Sequence, residues 1–354
     1  MMGWTIFVFI YSFGCQFESE NATMNKVRFG VLGTANIATK VGQAIKAAAS
    51  AELVSIGSRN LELAKAWGTQ HGAPQAYGSY QEVLADESIE AVYIPLPPSL
   101  HCEWTVRAAE AGKHVLCEKP TALNTQEVAT MFAACKANGV QFMDGTMWSH
   151  HPRTAEMKTV LTSGKLGRLR RITSAFTVNI ADTPQQIRFN PALGGGAIYD
   201  LGWYCIRAAL WAFDELPQRV YATAEYHRGV DINAAVMMWF SSQRTAAFDC
   251  GFDMGLRKWF EVAGEEGNLV CDDFLAPTNI DAPRFWTHGE SGNSETHLSA
   301  GVVQQTEMVQ RFCEIVRAGT LDERWFRESF DTQRVVDTLM KSLQLKREVE
   351  VEDA

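Results

Sequence analysis

Between residues 27 and 143 short apolar runs alternate with amphipathic stretches five times, and no other feature of the chain restricts its fold so tightly. Val27 to Leu32 is an apolar run stopped by Gly33, a strand by length and flank. Asn36 to Ala49 follows with Ile37, Val41 and Ile45 at i, i+4 and i+8, one face of a helix. Leu53 to Gly57 reads as a strand and Leu61 to Gln70 as a helix. Ile89 to Leu96 is a strand stopped by Pro97-Pro98, and Ser99 is placed to cap a helix that runs through Ala111 to Gly112. His114 to Cys117 is a strand. Asn124, with Glu127 three residues on, resembles a capping box for a helix ending at Asn138-Gly139, and Val140 to Met143 is a further strand. Strands joined by helices pair in parallel and need cover on both faces, so this half predicts an α/β, doubly wound parallel sheet.

The second half changes character. Arg170 to Ile180, Arg219 to Tyr226, Ile232 to Phe240, Thr245 to Phe252 and Trp259 to Ala263 are rich in β-branched and aromatic residues, and Gly264-Glu265-Glu266-Gly267 is a hairpin signal. Strands in close succession predict a mostly antiparallel sheet. Gly194-Gly195-Gly196 introduces a helix to about Phe213, and late helices are expected near Gln304 to Ala318 and Asp331 to Leu345. The 354 residues suit two domains at roughly 150 residues each. Their expected limits are 26–145 for the first and 146–354 for the second, whose last helices can pack back on the first.

Charge and cysteine content narrow the function classes. The net charge of −9 opposes a nucleic-acid partner. Eight scattered cysteines, none in C-x-x-C spacing, suggest buried thiols in a reducing compartment. Residues 1–25 are set apart as an amino-terminal extension. Its apolar run Trp4 to Cys15 is too short for a spanning helix, which needs ~20 residues. It also lacks the basic flank and cleavage site of a signal peptide. A start at Met24 implies a cytoplasmic protein with no membrane partner; export or tethering is expected only if residues 1–23 are translated.

Three segments carry chemistry. Gly30 to Ala38 lies where a strand meets a helix, and Gly33-x-Ala35-x-x-Ala38 follows the G-x-G-x-x-G/A pattern with its second glycine replaced. Such a turn aims backbone N–H groups from Thr34, Ala35, Asn36 and Ile37 and a helix's positive end at a pyrophosphate, although a plain strand–helix turn can look alike. At the end of the next strand, Ser58-Arg59 offers a hydroxyl and a guanidinium where an NAD site carries a carboxylate, which favours the 2′-phosphate of NADP while leaving NAD open. A surface arginine opening a helix is the competing explanation for Arg59. Glu118-Lys119-Pro120 follows a strand at the sheet edge where ligands collect, and Pro120 holds Lys119 out of helical geometry. Taken alone, the tripeptide is equally an exposed lysine after an edge strand. In Gly194-Gly195-Gly196-Ala197-Ile198-Tyr199-Asp200-Leu201-Gly202-Trp203-Tyr204, Asp200 and Tyr204 stand at i, i+4 on one helix face. A tyrosine near a lysine can exchange a proton with substrate, its pKa lowered by the cation; a core tyrosine bonded to an aspartate is the alternative. His150-His151 are adjacent rather than i, i+4, so no metal site is expected.

In order and spacing these three segments resemble the glucose–fructose oxidoreductase/inositol dehydrogenase/rhizopine catabolism (Gfo/Idh/MocA) family, from about Lys26 to Val351. Tyrosine at 204, where many members have histidine, is similar to the branch holding dimeric dihydrodiol dehydrogenase and NADP-dependent xylose dehydrogenase. The resemblance implies a Rossmann domain and an α+β domain with a large open sheet that pairs with a second subunit, giving a homodimer or dimer-based oligomer. It implies hydride transfer between NADP and a carbinol carbon of a sugar, polyol or cyclic diol. By the same resemblance Lys119 hydrogen-bonds the reacting hydroxyl, Tyr204 exchanges its proton and Asp200 orients both. Leu96, Pro97 and His101 match the segment at the nicotinamide ribose, Glu118 stands beside it, Arg188 faces substrate, and Trp148 either walls the pocket or packs as a core tryptophan. Ala35 departs from the usual glycine. Two other activities fit the same fold: a glycosidase using bound NAD for transient oxidation, and a non-catalytic nucleotide sensor.

Overall fold

The structure is a computed structural model that describes residues 26–352. The expected extension over residues 1–25 lies outside the described residues. The first sheet comprises β1 (Val27–Leu32), β2 (Ala51–Gly57), β3 (Gln75–Tyr77), β4 (Ala91–Ile94), β5 (His114–Cys117) and β6 (Phe142–Asp144). All are parallel, in the order β3-β2-β1-β4-β5-β6. The order reverses between β1 and β4, which opens a crevice at the carboxyl ends of those strands. Helices α1 (Asn36–Ala47), α2 (Leu61–His71), α3 (Tyr80–Ala85), α4 (His101–Glu110) and α5 (Thr125–Ala137) connect them.

Local chemistry explains most of these boundaries. Asn124 accepts from the Glu127 amide at 2.9 Å, while the Glu127 carboxylate accepts from Leu123 N at 3.0 Å, one residue before a regular capping box. Ser99 does not cap α4. Consecutive prolines set a 3₁₀ turn over Pro98–Leu100, and Leu100 N donates to Pro97 O at 2.9 Å, leading straight into the helix. The short β3 and α3 carry too few residues for periodicity to show, although Ser79 and Glu82 form a full capping box at α3.

The second sheet has nine strands. They are β7 (Leu169–Thr177), β8 (Arg219–His227), β9 (Val230–Trp239), β10 (Thr245–Gly251), β11 (Phe260–Gly264), β12 (Gly267–Cys271), β13 (Arg284–Gly289), β14 (Ser294–Leu298) and β15 (Val349–Glu350), ordered β14-β13-β12-β11-β7-β10-β9-β8-β15. Every pair is antiparallel except β7 with β10. Helices α6 (Pro152–Thr162), α7 (Trp203–Phe213), α8 (Gln304–Ala318) and α9 (Arg324–Leu345) complete the chain. One face of the sheet packs on α7, where Trp203, Ile206 and Ala209 meet Ile172, Phe248 and Val262. The other carries partly exposed residues such as Tyr221, Met237, Trp239 and Val270.

The last helices return to the first sheet. On α8, Met308, Val309 and Phe312 share a core with Phe29 and Ile45, and the Phe29 and Phe312 rings lie 5.6 Å apart. A buried ionic junction fixes α7. Arg207 Nη2 lies 2.5 Å from Asp144 Oδ2 at the end of β6, Ser329 of α9 donates to the same oxygen, and Arg207 Nε donates to Thr332 Oγ1 at 2.7 Å. Arg207 Nη1 also pairs with Glu328 at 3.0 Å, so removing Asp144 leaves the arginine one partner, whereas removing Arg207 strips the fully buried Asp144 of its counter-charge, a loss of ~3–5 kcal/mol. The seven described cysteines are free thiols, and no helix among the described residues is long and apolar enough to cross a membrane.

Candidate active site

A cleft of about 800 Å³ runs from the β1–α1 turn to the start of α7. At its first end Gly33 sits at φ +111°, a conformation open to glycine, and a Cβ there would lie 3.0 Å from Leu96 Cδ2. Ala35 holds φ −61° and ψ 157°, which alanine adopts freely, so the departure from glycine costs no backbone strain. The first turn of α1 has neither a side-chain cap nor an acidic residue. Thr34, Ala35, Asn36, Ile37 and Lys40 line the cleft here. An uncapped helix end with a cation one turn on fits the pyrophosphate of a dinucleotide. Ser58 is buried and its Oγ accepts from Asn60 N at 3.2 Å. Arg59 is exposed and interacts with the Tyr80 hydroxyl; burial raises that phenol's pKa while Arg59 lowers it. The hydroxyl lies 3.6 Å from where a Gly33 Cβ would stand, so Arg59 is anchored beside the turn, where a 2′-phosphate would meet it.

At the other end two distant segments meet. Lys119 Nζ donates to Asp200 Oδ1 at 2.6 Å and to the Asp200 carbonyl at 2.9 Å, and stands 4.7 Å from the centre of the Tyr204 ring. Asp200 lies in a π turn over Ile198–Gly202 that leads into α7, where Trp203 N reaches back five residues to Ile198 O. A widened turn interrupts the usual i to i+4 ladder, and here the Asp200 carbonyl serves the ammonium. Arg188 Nε donates to Asp200 Oδ2. Burial raises the Asp200 pKa, but Lys119 and Arg188 outweigh it and hold the carboxyl down at about 2. Burial alone lowers the pKa of Lys119; the Asp200 charge reverses that, so the lysine stays protonated. For Tyr204 burial dominates and pushes the phenol up to about 12, with Lys119 pulling the other way. The expected lowering by the cation therefore acts in the right direction, but dehydration of the phenolate exceeds it.

Sequence and structure comparisons place the chain in a family. Residues 27–146 match the model of the oxidoreductase family with an NAD-binding Rossmann fold, and residues 154–270 match the GFO/IDH/MocA C-terminal domain. The chain belongs to the Gfo/Idh/MocA family. Its relatives include the D-xylose 1-dehydrogenase (NADP(+)) 2 of Haloferax volcanii, 34% identical over 328 residues that cover 92% of this chain and 99% of the relative. The trans-1,2-dihydrobenzene-1,2-diol dehydrogenase of Homo sapiens is 30% identical over 232 residues, 65% of this chain and 69% of its own. Among solved structures, a 3-ketoreductase from Actinomadura kijaniata in complex with NADP and TDP-benzene superposes with a TM-score of 0.85 at 28% identity, covering 90% of this chain and 98% of that one.

In this Gfo/Idh/MocA member several predicted contacts stand elsewhere. Trp148 does not face substrate. It is 1% exposed, edge-on to Trp211 and Phe274 at 5.5 and 5.8 Å, because the 3₁₀ turn Met147–His150 turns it into the core and leaves Met147 at the cleft. His101 is also removed from the ligand side. It is fully buried, with ring nitrogens 2.7 Å from Leu96 O and 2.9 Å from Pro120 O, so it ties two cleft loops together from behind. Pro95, Leu96 and Pro98 line the cleft, with the half-buried Pro97 between them. Glu118 lies at the cleft floor with its carboxylate committed to protein: Tyr93 Oη donates at 2.6 Å and Lys119 N at 3.2 Å.

Other cleft residues escaped the sequence reading. Lys40 follows Asn36 by four residues, a spacing that helix periodicity would have flagged. Phe176, Val178 and Ile180 form an apolar wall. Their i, i+2 spacing was visible, but β7 ends at Thr177, short of the expected Ile180, so Val178 and Ile180 meet the cleft from the segment after the strand. Among the described residues no group of three or more metal-ligating side chains is assembled.

Proposed function

We propose that this protein is an NADP-dependent oxidoreductase moving hydride between the cofactor and a carbinol carbon of a sugar, polyol or cyclic diol. The observation that carries the reading is the meeting of Lys119 with Asp200 and Tyr204 at the end of a cleft that begins at an uncapped helix. The relatives bearing xylose and dihydrobenzenediol dehydrogenase names support the substrate class and NADP. When bound, the nicotinamide supplies or accepts the hydride.

The chain's own residues manage the proton and the charge. Lys119 donates a hydrogen bond to the substrate hydroxyl and stabilises the oxyanion as it forms. Tyr204 Oη accepts the hydroxyl proton in oxidation and returns it in reduction. Asp200 keeps Lys119 charged and holds its Nζ beside the Tyr204 ring. Arg188 shares the Asp200 carboxylate and projects toward the substrate end. Ser58 and Arg59 would hold the 2′-phosphate, and the Gly33–Ile37 turn with Lys40 the pyrophosphate.

In this reading residues 26–145 form the cofactor domain and residues 146–354 the substrate and pairing domain. The uncovered face of the nine-stranded sheet, with Met237 and Trp239, supports pairing with a second copy. The free thiols fit a cytoplasmic location.

A panel of aldoses, polyols and trans-dihydrodiols assayed with NADP through nicotinamide absorbance tests the function. Net reduction of NADP with at least one of them is expected. An aryl glycoside is included with NAD as a control, and its cleavage without net nicotinamide change would favour the glycosidase instead. NADPH binding with no turnover on any member of the panel would favour the sensor.

A further inference from the structure

Asp231 is a buried carboxylate that the mechanism above does not use. It is the second residue of β9, and strand alternation groups it with the half-exposed Asn233 and the exposed Ala235. A β-bulge changes its direction. Glu225 pairs with Asn233, but Tyr226 pairs with Asp231, so Ile232 is an extra residue on β9. Bulges of this kind bend a strand and re-aim its side chains. Here the carboxylate turns toward the entrance of the π turn. Its Oδ2 accepts from Ile198 N at 2.7 Å, and the Ala197 amide also bonds to it. The approach leaves no room for a side chain opposite: at Gly196, φ +125°, a Cβ would lie 2.4 Å from Asp231 Oδ1. Asp200 and Tyr204 follow two and six residues after Ile198.

We propose that Asp231 is a positioning residue, its carboxylate pinning the start of the π turn and thereby holding Asp200 and Tyr204 in register with Lys119. The proposal rests on the reading of Tyr204 as the proton-exchanging group. A negative acceptor at the amino end of a helical segment satisfies amides that have no partner within the helix and complements its dipole. Among the described residues, burial and backbone amides rather than charged side chains set the titration of Asp231. The ionisable groups facing Asp231 are Tyr199 from the π turn, Tyr226 from β8 and Cys250 from β10, each with its pKa raised and none ionised near neutral pH. Burial holds the Asp231 carboxyl up at about 6, against the pull of its amide donors. Protonation below that pH would weaken the clamp, so turnover acquires an acid limb there while cofactor affinity does not.

The test compares Asp231→Asn and Asp231→Ala with the unaltered protein in kcat, KM for NADPH, pH profile and amide hydrogen exchange. Asn keeps the shape and one acceptor, so this variant is expected to fold. Its kcat should fall roughly tenfold with KM for NADPH within about twofold, and the limb near pH 6 should vanish. Asp231→Ala should lose roughly 100-fold and accelerate exchange at residues 198–204, with α8 unaffected. Unchanged kcat with the acid limb intact in Asp231→Asn would overturn the proposal, as would unchanged exchange at residues 198–204 in Asp231→Ala. Tyr204→Phe is run in parallel. If it keeps full turnover, the acid–base reading fails, and exchange at residues 198–204 still decides whether Asp231 pins the turn.

Discussion

Tyr204 carries its proton tightly, and this sets a directional pH dependence. The phenol sits at about 12 because burial outweighs the Lys119 charge. Oxidation needs the phenolate as acceptor, and below pH 12 its fraction grows tenfold per pH unit. The kcat/KM for oxidation should therefore rise with pH, with a logarithmic slope approaching 1 above neutrality, while reduction, which uses the protonated phenol, should stay nearly flat. A rate plateau for oxidation from pH 7 upward would contradict this assignment. Beside the β1–α1 turn, Arg59 is the charged member of the Ser58-Arg59 pair read as choosing between cofactors. Arg59→Ala removes charge-assisted hydrogen bonds to a phosphate, worth ~1.5–3 kcal/mol. Fluorescence titration should then show NADPH affinity falling roughly 10- to 100-fold with NADH affinity little changed. Both residues were singled out in the sequence, Arg59 from its place at a strand end and Tyr204 from the family resemblance. The sign of the phenol shift was not, since it depends on how much water the fold removes.

At the scale of elements, strong periodicity and turn chemistry transferred well. The strand Val27–Leu32, the strand His114–Cys117 and the helix Gln304–Ala318 lie at the expected residues, and the Gly264 to Gly267 hairpin joins β11 to β12. Three features were hidden. The π turn reads as the first turn of an ordinary helix because it runs without a break into the apolar-striped α7, and one extra residue per turn leaves no mark in a segment this short. The bulge at Ile232 leaves no mark in a β-branched run. Strands β13 and β14 carry exposed and half-exposed residues that do not alternate cleanly. Trp148 shows the same limit, since an aromatic residue after a sheet edge suits a pocket wall or a core equally, and only the 3₁₀ turn decides. Its burial predicts that Trp148→Ala destabilises the fold by ~3–5 kcal/mol in denaturant unfolding while leaving KM for substrate within about twofold. A large rise in KM with unchanged stability would return Trp148 to the pocket.

For the whole molecule, function depends on holding the ends of two sheets together. Lys119 follows β5 of the parallel sheet, and Tyr204 stands on the helix that covers the second sheet. The Asp144–Arg207 pair, with Ser329 and Thr332 of α9, joins the last strand of the first sheet to the back of α7, one turn beyond Trp203. The fold class was legible from the alternation of strands and helices, and the convergence of the two motifs from the family resemblance they carry, whereas this junction was not. Asp144 and Arg207 lie 63 residues apart in sequence, and nothing in the local pattern of either segment says that the two side chains meet. The central claim is that the ammonium and the phenol act on one substrate hydroxyl beside a bound nicotinamide. The most direct measurement pairs NADPH titration with steady-state turnover for Tyr204→Phe. The account predicts NADPH affinity within about twofold of the unaltered protein and a kcat lower by roughly 10²- to 10⁴-fold. Turnover preserved in the phenylalanine variant would contradict it.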